Sequence, residues 1–262
     1  MKASIAILLA ATGITLAATT VMARDPMPIP QRVQPDECKS CYKVLEIGQG
    51  TDCKTVEVNG YKAEDISDSA IYSTSDSKYT SERYLTQRNL KKETDVSREQ
   101  VRVYCSSPLT GSAVVGVNRE VEYFKEETAP LISKVEEDIK ARYGEPSYDG
   151  TIRGFKMLQF SVDKAGSTVK LEEPLEVNAN MYDQSERLQK AGIEETIFYG
   201  MVPCRGNSDK ICVFVSAMEN VGLWASDNRE WKIFRDEIEA IRLADKEAEK
   251  AESAKTAVSP DL

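Results

Sequence analysis

The sequence predicts an α+β fold: an antiparallel sheet with two main helices on one face, joined to a small disulfide-clipped N-terminal β-hairpin. Two segments have helical periodicity, one near residues 128–144 and one near residues 227–243. Most other apolar runs are short and alternate with polar residues, which is typical of strands. The order strand, strand, helix, strands, helix favours an antiparallel sheet covered by helices.

The composition restricts the class of function. The chain has 262 residues and a formal net charge of −9, so phosphate backbones and anionic lipid surfaces repel it. It contains no histidine, which excludes Ser-His-Asp and Cys-His catalysis, histidine-ligated zinc, and c-type haem attachment at Cys38-x-x-Cys41. We therefore expect no cofactor, no metal site and no nucleic-acid partner.

Residues 1–23 have the features of a secretory signal peptide of bacterial style. Lys2 precedes an apolar stretch from Ile5 to Val21, and the triplet ending at Ala23 fits the small-x-small cleavage rule. We expect a periplasmic or extracellular protein with no membrane span once this peptide is removed. The next segment, 24–35, contains four prolines and is predicted to be an extended linker with little reason to pack.

The following segments, 36–66 and 67–98, differ in composition. The first holds three of the six cysteines and is predicted to be a small hairpin with strands at 42–47 and 55–61. The second is polar and rich in turn-forming residues. It is predicted to be a loop or a linker, with a short helix near 81–90.

The main α+β domain is predicted to occupy residues 99–245, organised around its first helix. Thr128 is the predicted N-cap, and Gly144 the left-handed residue that ends the helix. An apolar stripe runs along it at Leu131, Ile132, Val135, Ile139 and Tyr143. Ion pairs four residues apart are predicted between Glu136 and Lys140 and between Asp138 and Arg142.

The rest of the main domain is predicted as strands and two further helices. The last helix is expected to start at Asp227, which forms a capping box with Glu230, and to fray after Leu243 into a charged tail at 246–262. A bulge is expected near Gly154. The predicted strands lie at 100–106, 113–124, 151–162, 168–172, 175–182, 196–204 and 210–218, with a short helix at 184–191.

The six cysteines of an exported chain predict up to three disulfide bonds. Cys204 and Cys212 flank one hairpin loop and are predicted to pair. Because a ring closed between Cys38 and Cys41 would be small and strained, we expect both to bond outward, to Cys53 and Cys105 in an order that the sequence leaves open. Such bonds would clip the small hairpin to the main sheet.

The patterns favour a non-catalytic exported protein that binds another protein or a cell-envelope component. No nucleophile–base pair, metal cluster or cofactor loop is evident, yet the chain has an organised core. Tyrosine-bearing loops suit protein contacts because they bury large area at low entropic cost. The candidate binding residues are Tyr72, Tyr79, Tyr84 and Trp224.

Two alternative functions stay open. The acidic doublets at 126–127, 172–173 and 194–195 are compatible with a histidine-free hydrolase acting on glycan or peptide, if two carboxyl groups face each other in a cleft. The Cys38-x-x-Cys41 pair is compatible with a thiol-redox protein, although it follows a proline-rich segment and precedes a strand-like run.

Overall fold

The computed structural model describes residues 26–34, 40–174, 187–205 and 208–256 of the chain. Within them, eight strands form one antiparallel sheet and two short strands form a separate hairpin. The hairpin strands are β1 (Lys43–Val44) and β2 (Ile47–Gly48). The sheet strands are β3 (Lys62–Ala70), β4 (Arg83–Glu93), β5 (Ser97–Cys105), β6 (Val114–Tyr123), β7 (Tyr148–Ile152), β8 (Phe155–Val162), β9 (Glu195–Pro203) and β10 (Ile211–Asn220).

The sheet consists of two four-stranded meanders that meet at its centre. Its strand order is β3-β4-β5-β6-β10-β9-β8-β7, so β6 and β10 pair with each other although a helix and three strands separate them in sequence. Helix α1 (Ile132–Tyr143) follows the first meander, and helix α2 (Val221–Thr256) follows the second. The predicted antiparallel α+β architecture is confirmed at this level.

The largest hydrophobic cluster lies between the sheet, α1 and the N-terminal hairpin. On β5 every second residue is buried, which places Val101 and Val103 on the face that α1 covers. Ile139 of α1 packs into the same cluster, and Gly144 ends the helix with a φ of 79°. The predicted N-cap at Thr128 is wrong, because Thr128 belongs to a separate 3-10 turn and α1 begins at Ile132, after Leu131. Burial of this apolar area is the main source of stability for the α1 side of the sheet.

Helix α2 packs into two smaller hydrophobic clusters, separate from the one that contains α1. Leu223 and Trp224 form a cluster with Ala113 and Val115, and Phe234 and Ile238 form another with the loop after β3. The expected placement of both helices on one face is therefore not confirmed, because the two helices contribute to different clusters.

The predicted bounds of α2 are wrong at both ends. The helix begins at Val221, where the Asn220 side chain accepts a hydrogen bond from the Leu223 amide at 2.8 Å. Asp227 lies inside the helix and is buried. Its carboxylate accepts hydrogen bonds from the Ser107 amide and from the Ser107 and Thr110 hydroxyls. The helix continues to Thr256 because alanine, glutamate and lysine favour helix without packing.

Residues 67–98 do not form the predicted loop or helix, because strands β3, β4 and β5 run through them. On β4 all but one interior residue is half-buried, so the strand has no clean alternation for sequence reasoning to find. Two hairpin turns were also missed: Leu45 and Glu46 take φ values of 52° and 63°, and Arg153 and Gly154 take 51° and 85°. The turn at Gly154 replaces the expected bulge.

The proline-rich segment is packed where it is described, at residues 26–34, contrary to prediction. The Arg32 and Val33 amides both donate to the Leu109 carbonyl, at 2.8 and 2.9 Å. The Arg32 guanidinium pairs with Glu237 of α2 and lies 5.1 Å from the Phe234 ring centroid. Backbone hydrogen bonds therefore attach this segment to the loop between β5 and β6, and the Arg32 side chain attaches it to α2.

Two cysteine pairs lie at disulfide distance. One is the Cys204–Cys212 pair that the loop spacing favours, and the other joins Cys53 to Cys105. The expectation that Cys38 and Cys41 bond to Cys53 and Cys105 is wrong, because those two bond to each other across a Cα separation of 5.8 Å. Cys41 is also disulfide-bonded, whereas Cys38 lies outside the described residues.

Several other predictions fall partly or wholly outside the described residues. These include the signal peptide at 1–23, most of the strand at 175–182, and the last residues of the tail. Residues 187–190 are helical and Gly192 has a φ of 75°, as the short-helix prediction requires, whereas 168–172 forms only a single bridge to β8. None of the helices in the described part of the chain combines the length and apolar character needed to cross a membrane.

Candidate functional site

A groove opens between α1, the β1–β2 hairpin and the central strands, with a cavity volume of about 340 Å³. We call it the α1 groove. One wall is formed by the hairpin, the other by α1, and the floor by β6, β9 and β10. The lining residues that matter most are Lys43, Leu45, Arg119, Arg142, Tyr143, Tyr199 and Phe214.

The floor of the α1 groove is aromatic. The Tyr199 ring lies 6.0 Å from the Phe214 ring and 6.0 Å from the Tyr143 ring, measured between centroids. Phe160 and Tyr42 extend the same cluster beneath α1, at 5.4 and 5.6 Å from Tyr143. Neighbouring rings hold one another in place, so the floor is a rigid, largely apolar surface.

Local sequence explains how these rings converge. Tyr199 and Phe214 are on neighbouring antiparallel strands, in which residue 199 is paired with residue 216 and residue 201 with residue 214. Their side chains therefore project from the same face of the sheet. Tyr143 comes from the last turn of α1, four residues after the buried Ile139, so it lies on the packed face of the helix.

Burial makes Tyr199 a poor acid. Removal from water raises the pKa of its hydroxyl far above the usual range, and its hydrogen bond with the Tyr143 hydroxyl acts in the same direction. The ring therefore stays neutral at all physiological pH values. It contributes apolar surface and one hydroxyl to the groove rather than a reactive phenolate.

Arg119 at the floor of the α1 groove is already neutralised. Its Nε and Nη2 atoms donate to the same Glu99 oxygen at 3.0 and 2.6 Å, and Glu99 also accepts a hydrogen bond from the Tyr61 hydroxyl. Burial, together with this bond to Glu99, raises the pKa of Tyr61 to about 12. The Arg119 guanidinium also lies 6.0 Å from the Phe214 centroid. The Arg119 guanidinium therefore packs against the aromatic floor, and its charge is balanced by Glu99.

Two other cations stand at the mouth of the α1 groove. Arg142 is exposed, its guanidinium lies 5.3 Å from the Tyr143 ring centroid, and within the described residues it forms no ion pair. Asp138, its predicted partner, instead pairs with Lys134 at 2.9 Å. Lys43 is exposed on the hairpin and lines the groove, and the Tyr143 hydroxyl donates to its carbonyl at 3.4 Å. The predicted Glu136–Lys140 pair is present.

A second cavity, of about 280 Å³, lies at the start of α2 and contains the acidic doublet 194–195. Glu195 accepts a hydrogen bond from the Ser40 amide at 2.8 Å. Glu194 lies against Gly222, where an added Cβ would come within 1.7 Å of its Oε1 atom. The Glu195 carboxylate therefore already accepts a backbone hydrogen bond, and the Glu194 carboxylate packs beside Gly222 at the start of α2.

The other two acidic doublets lie at exposed positions. Glu126 accepts a hydrogen bond from the Ser208 hydroxyl at 2.6 Å on an exposed turn, and Glu172 and Glu173 are exposed. Among the described residues, no group of three or more cysteine, aspartate or glutamate side chains could hold a metal ion.

The predicted binding residues belong to hydrophobic clusters or pack against them. Tyr72, Tyr79 and Tyr84 lie together against α2. There the Tyr79 hydroxyl donates to Asp245 at 2.8 Å, and Tyr72 donates to Glu239. Trp224 is 7% exposed in a separate cluster. The four residues do not form one open surface, and their role in binding stays a prediction.

Sequence reasoning missed the α1 groove because its members are far apart in the chain. The sequence pattern places Tyr143 in the apolar stripe of α1, and it places Tyr199 and Phe214 within predicted strands. One signal in the sequence was the basic residue Arg142 next to Tyr143 at the end of α1. Asp138, the predicted partner of Arg142, is also four residues from Lys134 and can pair with that lysine instead.

No protein-family model matches this chain, and no match is found among curated proteins or solved structures. Function is therefore inferred from the residues of the site itself.

Proposed function

We propose that this chain is an exported, non-catalytic protein that binds a segment of another protein in the α1 groove. The observation that carries the proposal is the open concavity with a rigid aromatic floor between α1 and the hairpin. Concave apolar surfaces with a few polar groups at their edges are the usual form of binding sites. Buried aromatic anchors dominate the energy of protein contacts.

The size of the α1 groove favours a protein segment over a large ligand. A volume of about 340 Å³ is at the lower end of the range for ligand pockets. It can hold one or two side chains, while the rest of a bound segment would lie along the open mouth. This is the arrangement in which an anchor residue of a partner enters a pocket and its neighbours exclude water.

Export is supported by two features of the chain. Residues 1–23 have the pattern of a signal peptide, and the two cysteine pairs at disulfide distance fit an oxidising compartment. We therefore propose that the protein is located in the periplasm or outside the cell.

The alternative functions have less support. In the doublet at 194–195, the Glu195 carboxylate accepts a hydrogen bond from a backbone amide, and the Glu194 carboxylate packs beside Gly222. Cys41 is disulfide-bonded and is followed by strand β1, whereas redox-active pairs sit at the start of a helix that lowers the thiol pKa.

A peptide-binding experiment tests the proposal. Protein lacking residues 1–23, with its disulfides intact, would be used to select peptides from a displayed random library, and affinities would be measured by fluorescence anisotropy. Phe214→Ala removes one ring of the floor and should weaken the selected peptides about tenfold or more. Phe124→Ala is the matched control, because Phe124 is 46% exposed and lies outside the groove.

Two outcomes would contradict the proposal: selection that yields no peptide, or equal loss of affinity in both variants. Circular dichroism and the melting temperature of each variant check that the fold is retained.

A further inference from the structure

We infer that the α1 groove selects protein segments that carry a carboxylate beside the anchoring side chain, and that Arg142 and Lys43 set this selectivity. The inference depends on the proposed function and specifies the partner. It rests on the charges at the groove mouth, which are opposite in sign to the chain as a whole.

Among the described residues, the titratable groups that line the α1 groove, tyrosines aside, are three cations and one carboxylate: Lys43, Arg119, Arg142 and Asp138. The whole chain carries a net charge of −9. A locally cationic surface on an acidic protein attracts acidic ligands to one place and repels them elsewhere. The positive charge of the groove therefore indicates that its partner is acidic.

Ion pairs within the protein determine which of these charged groups can still bind a ligand. Glu99 binds Arg119 through two donors on one oxygen, and Lys134 binds Asp138 at 2.9 Å. Lys43 approaches Glu46 only to 3.9 Å, and the Glu46 side chain is 81% exposed. Within the described residues Arg142 has no carboxylate partner. Arg142 and Lys43 are thus the two cations with capacity for an incoming anion.

Their positions suit one shared anion. Arg142 belongs to the α1 wall and Lys43 to the hairpin wall, and the hydrogen bond from the Tyr143 hydroxyl to the Lys43 carbonyl joins the two walls. The Arg142 guanidinium lies over the Tyr143 ring, which restricts its motion and leaves its donors free. A carboxylate at the mouth would contact both cations while a neighbouring apolar side chain enters the aromatic floor.

The test uses three synthetic peptides that share one apolar anchor taken from the selected sequences. They differ only at the adjacent position, which is aspartate, asparagine or lysine. Because both cations are at the surface, we expect the aspartate peptide to bind wild-type protein roughly fivefold more tightly than the asparagine peptide at low salt. The lysine peptide should bind most weakly, and added salt should reduce the differences.

Charge reversal identifies the residue responsible. In Arg142→Glu the preference for the aspartate peptide should be lost, because the new glutamate offsets the positive charge of Lys43. Arg102→Glu is the matched control, because Arg102 is exposed on β5 and its side chain points away from the face that α1 covers. It should leave the order unchanged.

The outcomes separate the inference from the proposed function. Equal affinity for the three peptides, or an unchanged order in Arg142→Glu, would overturn the charge selectivity and leave peptide binding in place. Failure of all three peptides to bind would overturn both.

Discussion

The carboxyl group of Glu219 should make the stability of this protein depend on pH. Glu219 is 1% exposed on β10, between its strand neighbours Thr196 of β9 and Gly116 of β6. Within the described residues neither carboxyl oxygen has a hydrogen-bond partner. Burial alone raises its pKa from the ordinary value of 4.5 to about 7. The ionised form therefore destabilises the folded state.

The magnitude follows from the difference in pKa between the folded and unfolded states. Below pH 4.5 the group is protonated in both states, and its contribution to stability is fully present. As the pH rises from 4.5 to about 7, the unfolded chain releases the proton first, so the free energy of unfolding decreases. Above the folded pKa the loss is complete and amounts to about 3 kcal/mol.

Replacing Glu219 by glutamine removes this ionisation. We expect the free energy of unfolding of Glu219→Gln minus that of wild type to rise by about 3 kcal/mol between about pH 4 and pH 8. A buried amide without partners has its own cost, but that cost is independent of pH and cancels in the comparison. Urea unfolding followed by tryptophan fluorescence measures the difference at each pH.

Glu120→Gln provides the control for this experiment. Glu120 is exposed on β6, where it pairs with Val215 of β10, so the substitution removes a carboxyl group from the solvated part of the sheet. Its stability difference from wild type should change little with pH. A flat difference for Glu219→Gln, within about 1 kcal/mol over the same range, would refute the assignment of a buried, protonated carboxyl group.

Two further predictions concern tertiary links. Asp227→Ala should lower the free energy of unfolding by about 3 kcal/mol, because the buried groups of the 107–110 turn lose their acceptor. Asp236→Ala, exposed on the same helix, should change it by less than about 0.5 kcal/mol, and equal losses in denaturant unfolding would contradict the role of Asp227. Replacing both cysteines of the Cys53–Cys105 bond by serine should cost about 4 kcal/mol, against about 2.5 kcal/mol for Cys204–Cys212, because the sequence separations are 52 and 8 residues. Guanidinium unfolding gives both values, and the reverse order would show that chain entropy does not govern these bonds.

Much of the fold could be predicted from local patterns. Helix α1 has an apolar stripe at helical spacing and a glycine stop, and both signals lie within one segment. Strand β5 alternates buried and exposed residues without interruption. The Cys204–Cys212 pairing follows from a short loop between two strands. In each case the residues that determine the structure are close in sequence.

The missed elements share a different property. Strand β4 is polar along most of its length, and its structure depends on ladders with β3 on one side and β5 on the other. Asp227 has the sequence context of a helix cap, but its acceptor role depends on the 107–110 turn, which folds against α2. Where local propensity and tertiary contacts favour different structures, the tertiary contacts determine the structure that forms.

The sequence by itself determined the acidic, histidine-free chemistry, the signal-peptide pattern, helix α1 and the antiparallel class of the sheet. Only the tertiary structure decided that β6 pairs with β10, and this pairing brings Arg119 beside Phe214 and buries Glu219. The same folding brings Lys43 of the hairpin and Arg142 of α1 to the lining of the α1 groove. The periodicity of a segment shows which of its residues share one face of a helix or strand. A binding site combines faces from elements that are distant in sequence, and their arrangement cannot be read from a local pattern.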